Sequence, residues 1–168
     1  MKRTLFLSIL IVPFVLVCSI CGLPSIGISS DIPKYKIVWS DGTTYGILFQ
    51  QKLTDNDFEK IIFEFREIRK RNEFNKYFPP PKNYKRNDPY GVLQFTFFTD
   101  PKWSSRKMSE RFVNNKMTKL ECQNYYDNIR GYYGWSRNPF YEKGSIGDFE
   151  SNNIKSKNYR ELFKEGGI

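Results

Sequence analysis

The sequence predicts a small α+β domain, an antiparallel sheet packed on one main helix behind an apolar leader. Three observations carry this. Alternating apolar residues flank Asp41-Gly42 on both sides. Phe58, Ile61, Ile62, Phe65 and Ile68 recur at helical spacing. Residues 92–99 then alternate again, with Leu93, Phe95 and Phe97 on one side. A chain of 168 residues suffices for one domain with a real core, and 17% aromatic content argues against disorder.

Residues 1–21 read as a signal peptide. Lys2 and Arg3 precede an uncharged stretch that runs from Thr4 to Ser30, and small side chains at Ser19 and Cys21 suit a cut before Gly22. Two alternatives stay open. A retained anchor needs roughly 20 apolar residues, and the window is long enough although Pro13 interrupts it. The cysteine at the end of the apolar run resembles the lipid-attachment box of bacterial lipoproteins, which implies lipid on Cys21. Ile20 is bulkier than that box prefers. Residues 22–33 are small and polar with two prolines, and read as a tether.

The domain is expected over 34–147. Strands are expected over 34–40 and 44–51, because Tyr35, Ile37 and Trp39 alternate, Asp41-Gly42 favours a tight turn, and Tyr45, Ile47 and Phe49 alternate after it. The helix spans 55–71. Thr54 and Asp57 form a capping box, Leu53 and Phe58 a hydrophobic staple, and Arg66, Arg69, Lys70 and Arg71 suit the negative end of the helix dipole. Pro79-Pro80-Pro81 opens a loop. The run over 92–99 predicts a central strand. Further strands are expected over 117–122 and 129–135, with a short helix or irregular basic segment over 104–120. A polar tail is expected over 148–168, with a short helix near 159–164.

Charge and residue types bound the function. Lys and Arg number 27 against 18 Asp and Glu, a net charge of +9. In an exported protein this suits membrane headgroups or cell-wall polymers rather than nucleic acid, or simply a solvated surface. Histidine is absent, so no Ser-His-Asp or Cys-His arrangement and no His-ligated metal site can form. Cys122 is alone once the leader is removed, which leaves no internal disulfide. No nucleotide loop, dinucleotide fingerprint or calcium loop occurs, and no cofactor is expected.

The candidate binding residues are Tyr125, Tyr126, Tyr132, Tyr133 and Trp135, aromatic side chains with polar tips set among Asn, Gly and Arg. They point to a non-catalytic envelope protein, held near the membrane through its N-terminus, that binds an envelope component or another exported protein. Two alternatives remain: a partner module such as an inhibitor, immunity or assembly subunit, and a glycan-active enzyme. The latter would use paired carboxylates, from Asp100, Glu110, Glu121, Asp127 and Glu142.

Overall fold

The computed structural model describes residues 32–78, 91–148 and 154–167. The leader, Cys21, most of the tether and the triple proline lie outside them. The described chain is one α+β domain with a six-stranded mixed sheet. Its strands are β1 (Tyr35–Ser40), β2 (Thr44–Phe49), β3 (Val92–Phe98), β4 (Gly131–Ser136), β5 (Tyr141–Ile146) and β6 (Arg160–Gly166). They lie side by side in chain order. Four helices complete it: α1 (Asp55–Lys70), α2 (Phe74–Tyr77), α3 (Arg106–Val113) and α4 (Lys119–Asp127).

The expected antiparallel sheet needs one correction, since β2 and β3 run parallel. Parallel neighbours require a long crossover, and α1 lies in that connection. The other neighbouring pairs are antiparallel.

Helix α1 forms where its sequence places it. Thr54 Oγ1 accepts from Asp57 N at 3.3 Å, and Asp57 Oδ2 accepts from Thr54 N at 2.8 Å, so both free amides are met. Leu53 and Phe58 are both buried. The buried face of α1 meets Ile47, Phe49, Phe95, Phe97, Tyr133 and Ile146 of the sheet. Phe65 centres this layer, with ring centroids 4.8 Å from Phe95, 5.0 Å from Phe97 and 5.2 Å from Phe78. A second layer covers the opposite sheet face, where Phe98, Tyr125, Tyr126 and Ile129 pack with Trp39, Phe112 and Met108.

Three sequence expectations are corrected. Residues 117–122 belong mostly to α4, not to a strand, because Thr118 and Glu121 close a second capping box. The strand expected over 129–135 begins at Gly131 and ends at Ser136. The expected tail over 148–168, with its short helix near 159–164, contains β6, which pairs along β5 and adds the sixth strand.

Candidate functional site

The five aromatic residues singled out by sequence do not share one surface. Successive residues of a strand face opposite sides, so Tyr132 and Tyr133 part company. Tyr133 points into the α1 layer and is fully buried. Trp135 packs against the same layer. Tyr125 and Tyr126 are buried on α4, on the other side of the sheet. Tyr132 also faces that side, where it lines a cavity with Tyr125 and Tyr126.

This cavity has a volume of about 380 Å³, within the range of small-molecule sites. One side is the sheet, through Thr44, Gln94, Thr96 and Tyr132; the other is α3, through Arg106, Ser109, Phe112 and Val113. Strand register orders the sheet side. Gly46, Thr96 and Tyr132 lie in one row across β2, β3 and β4, and Thr44, Gln94 and Gly134 lie in the next.

Two aromatic side chains use glycines to lie down on this sheet. A Cβ on Gly46 would come 2.3 Å from Cε2 and Nε1 of Trp39, so the indole lies across Gly46. A Cβ on Gly134 would come 2.3 Å from Tyr132 Oη, so the phenol end lies across Gly134. Sequence reasoning missed Trp39, because alternation puts it with Tyr35 and Ile37. A β-bulge intervenes. Ile37 pairs with Ile47, whereas Trp39 pairs with Gly46, and the shift turns Trp39 to the face opposite α1. Bulges commonly re-aim a side chain in this way next to functional sites. Trp39 Nε1 is buried and has no hydrogen-bond partner among the described residues.

Tyr132 is backed by charge. Lys143, itself buried, places Nζ 5.5 Å from the Tyr132 ring centroid and 5.4 Å from that of Tyr159. The same Nζ lies 3.9 Å from Asp148, which lines the cavity. Burial pushes the Tyr132 phenol well above its ordinary pKa, and the Asp148 charge adds to the shift. Burial likewise raises Tyr125, against the lowering effect of a hydrogen bond with Ser109. The α3 wall is held by stacking of Phe112 on Tyr125 at 4.9 Å.

The carboxylates considered for glycan chemistry are dispersed. Glu142 is buried between Tyr133, Arg66 and Arg69. Glu121 caps α4 and pairs with Arg111 at 2.7 Å. Asp127 accepts from Gln123 at 2.9 Å and from Lys157 N at 3.0 Å. Asp100 Oδ1 accepts from Lys102 N at 2.8 Å. Of these five, Glu110 alone lines the cavity, exposed and paired with Arg106 at 2.9 Å. Cys122 is half-buried on α4. Among the described residues no group of three or more Cys, Asp or Glu is placed to hold a metal ion, and no helix is long and apolar enough to cross a membrane.

Comparisons of the chain with protein-family models, with curated proteins and with solved structures give no match.

Proposed function

We propose that this chain is an exported, envelope-associated binding protein whose ligand site is the cavity between the sheet and α3, with no catalytic step of its own. The observation that supports the reading is the way Trp39 and Tyr132, from β1 and β4, are laid across Gly46 and Gly134 onto one cavity wall. A bulge and two glycines at matching places are more than a sheet surface needs. Flat rings beside Thr96 and Gln94 give an apolar face with hydrogen-bonding groups next to it, the usual make-up of a small-ligand pocket. Tyr125 and Tyr126 also line the cavity, while Tyr133 and Trp135 belong to the scaffold.

Export and membrane association rest on the leader, with cleavage before Gly22 or lipid on Cys21. The mass of the protein recovered from its cell reads this directly. A chain starting at Gly22, or a heavier species with acylated Cys21, supports export, whereas an unprocessed Met1 product in the soluble fraction overturns it.

Binding is tested by titrating the mature chain with soluble envelope fragments while following tryptophan emission. A saturable change that disappears in Trp39→Phe supports the site. No change, or one that Trp39→Phe retains, overturns it.

A further inference from the structure

The cavity belongs to a basic protein, yet its wall is not basic. Its charged lining residues are Asp41, Glu110 and Asp148 against Arg106. Arg106 is paired with Glu110, and Lys143, behind Tyr132, lies beside Asp148. Asp41 is engaged in its turn, accepting from Thr44 N at 2.8 Å. A polyanion drawn to the net charge of +9 would meet carboxylates here, and like charges brought together in a partly enclosed site repel. Arg106 is the one cation among the described lining residues, and the three acids outnumber it, so the wall does not favour a phosphate or carboxylate ligand.

What the wall does offer is neutral. Trp39 and Tyr132 supply aromatic surface on either side of β3, separated by about two strand spacings, roughly 10 Å. Between them β3 presents Thr96 and the exposed amide of Gln94. Trp39 Nε1 is buried over Gly46, so the indole meets the cavity with its ring and not with its N–H. A ligand that fits these groups together is a ring with apolar C–H faces and hydroxyls or amides at its edge. Such a ring covers an aromatic side chain with its face and gives and takes hydrogen bonds around its rim.

From this we infer that the cavity takes a neutral sugar ring, as one or two residues of an uncharged glycan, and that the positive surface of the protein plays no part in recognition there. This rests on the proposed binding role of the same cavity. Gln94 and Trp39 are the specificity-determining residues: Gln94 gives the amide that pairs with hydroxyls, and Trp39 gives the apolar ring surface.

The test is titration calorimetry of the mature chain with three kinds of probe. These are neutral chito-, cello- and malto-oligosaccharides, heparin as a polyanion, and spermine as a polycation. The expected result is saturable binding of at least one neutral oligosaccharide, with an affinity that does not fall as salt is raised. Gln94→Ala, at an exposed sheet position, is expected to weaken it about tenfold, the loss of one hydrogen bond to the ligand. Trp39→Phe replaces the indole by a smaller ring and is expected to weaken it by a similar factor through lost ring surface. Heparin binding, where present, is expected to be salt-dependent, unchanged in Gln94→Ala, and unable to displace the sugar.

The inference is overturned if no neutral oligosaccharide binds, if Gln94→Ala leaves sugar binding intact, or if heparin or spermine competes for the site with a loss in Gln94→Ala. The last result leaves the cavity as a binding site and changes only its ligand. Failure of the cavity itself is read separately, by envelope fragments that bind equally well to wild type and Trp39→Phe.

Discussion

Tyr133 Oη donates to Glu142 Oε1 at 2.7 Å, and both residues are fully buried. The same carboxylate receives Arg69 at two points, Nε at 3.0 Å and Nη2 at 2.7 Å, and Arg66 Nε at 3.3 Å. A carboxylate with no access to water is thus met by three partners, two from α1 and one from β4. The contact ties the helix to β5. Removing one member of a buried charged cluster costs about 3–5 kcal/mol, because the remaining charges lose their compensation. Glu142→Ala is expected to lower unfolding stability by that amount in urea. Tyr133→Phe leaves both arginines in place and is expected to cost about 1 kcal/mol. Equal effects of the two substitutions would show that charge pairing contributes little here.

The two glycines under the aromatic side chains give a second expectation. Gly46→Ala drives a methyl group into the Trp39 indole, and Gly134→Ala drives one into the Tyr132 phenol. Both rings must move off the sheet. Overpacking of this kind costs about 1–3 kcal/mol. The informative readout is not stability but the site: Gly46→Ala is expected to shift tryptophan emission toward that of exposed indole. Emission identical to wild type would show that Trp39 does not lie across Gly46.

Tyr132 and Tyr133 are neighbours in sequence with opposite assignments. Tyr133→Ala removes a fully buried ring from the α1 layer and is expected to cost about 3–5 kcal/mol. Tyr132→Ala opens the cavity wall and is expected to reduce ligand binding while the chain still folds. Circular dichroism and urea midpoints separate the two. A triple substitution that included Tyr133 and Trp135 could not test binding, since it would dismantle the core at the same time.

That contrast marks how far the sequence could be read. Helix α1 was legible because its cap, staple and apolar spacing are all local, and β3 because its alternation is uninterrupted. Strand β5 was not, since Glu142 and Lys143 are charged residues buried on opposite faces, Glu142 against the α1 arginines and Lys143 beside Asp148 and the rings of Tyr132 and Tyr159. Strand β6 shows charges on an exposed edge and resembles a tail until Phe163 finds its place against Gly144. The capping box that makes 119–127 helical, Thr118 with Glu121, was present in the sequence and outweighed the β-like reading of 117–122. The cavity was half legible. Its tyrosines stood out, but Trp39 depends on a bulge, and a one-residue shift that reverses a face leaves no periodic trace.

The buried and half-buried phenols set an alkaline limit on stability. Tyr125, Tyr132 and Tyr133 all lie well above the ordinary phenol pKa, chiefly through burial, and Tyr141 is pushed up to about 12 by burial and then by Asp148. An unfolded tyrosine ionises near pKa about 10. Above that pH the unfolded chain releases protons that the folded chain still holds, so it binds fewer of them and folding stability falls as pH rises. The contribution is complete below about pH 10 and is lost upward from there. Tyrosinate absorbance and far-ultraviolet circular dichroism are expected to change together in one steep transition above that point. A gradual tyrosinate signal, complete while the dichroism is still native, would show that these phenols are open to solvent.

Strand β6 closes the sheet at the edge where the Glu142 cluster ends. Phe163 covers Gly144, lies 5.4 Å from the Phe63 ring and receives the Arg66 guanidinium at 4.3 Å. Glu165 also pairs with Arg66. The strand therefore screens the outer side of a buried ion cluster, although its own side chains are largely exposed. Phe163→Ala is expected to cost on the order of 1–2 kcal/mol, less than a core ring because burial is partial. Truncation after Tyr159 is the stronger test. It bares β5 as a new edge and lets water reach the Arg66 side of Glu142, so a lowered urea midpoint and self-association through the open strand are both expected. Retention of the wild-type midpoint in the truncated chain would show that β6 only rests on the domain, and that Glu142 holds α1 to the sheet without it.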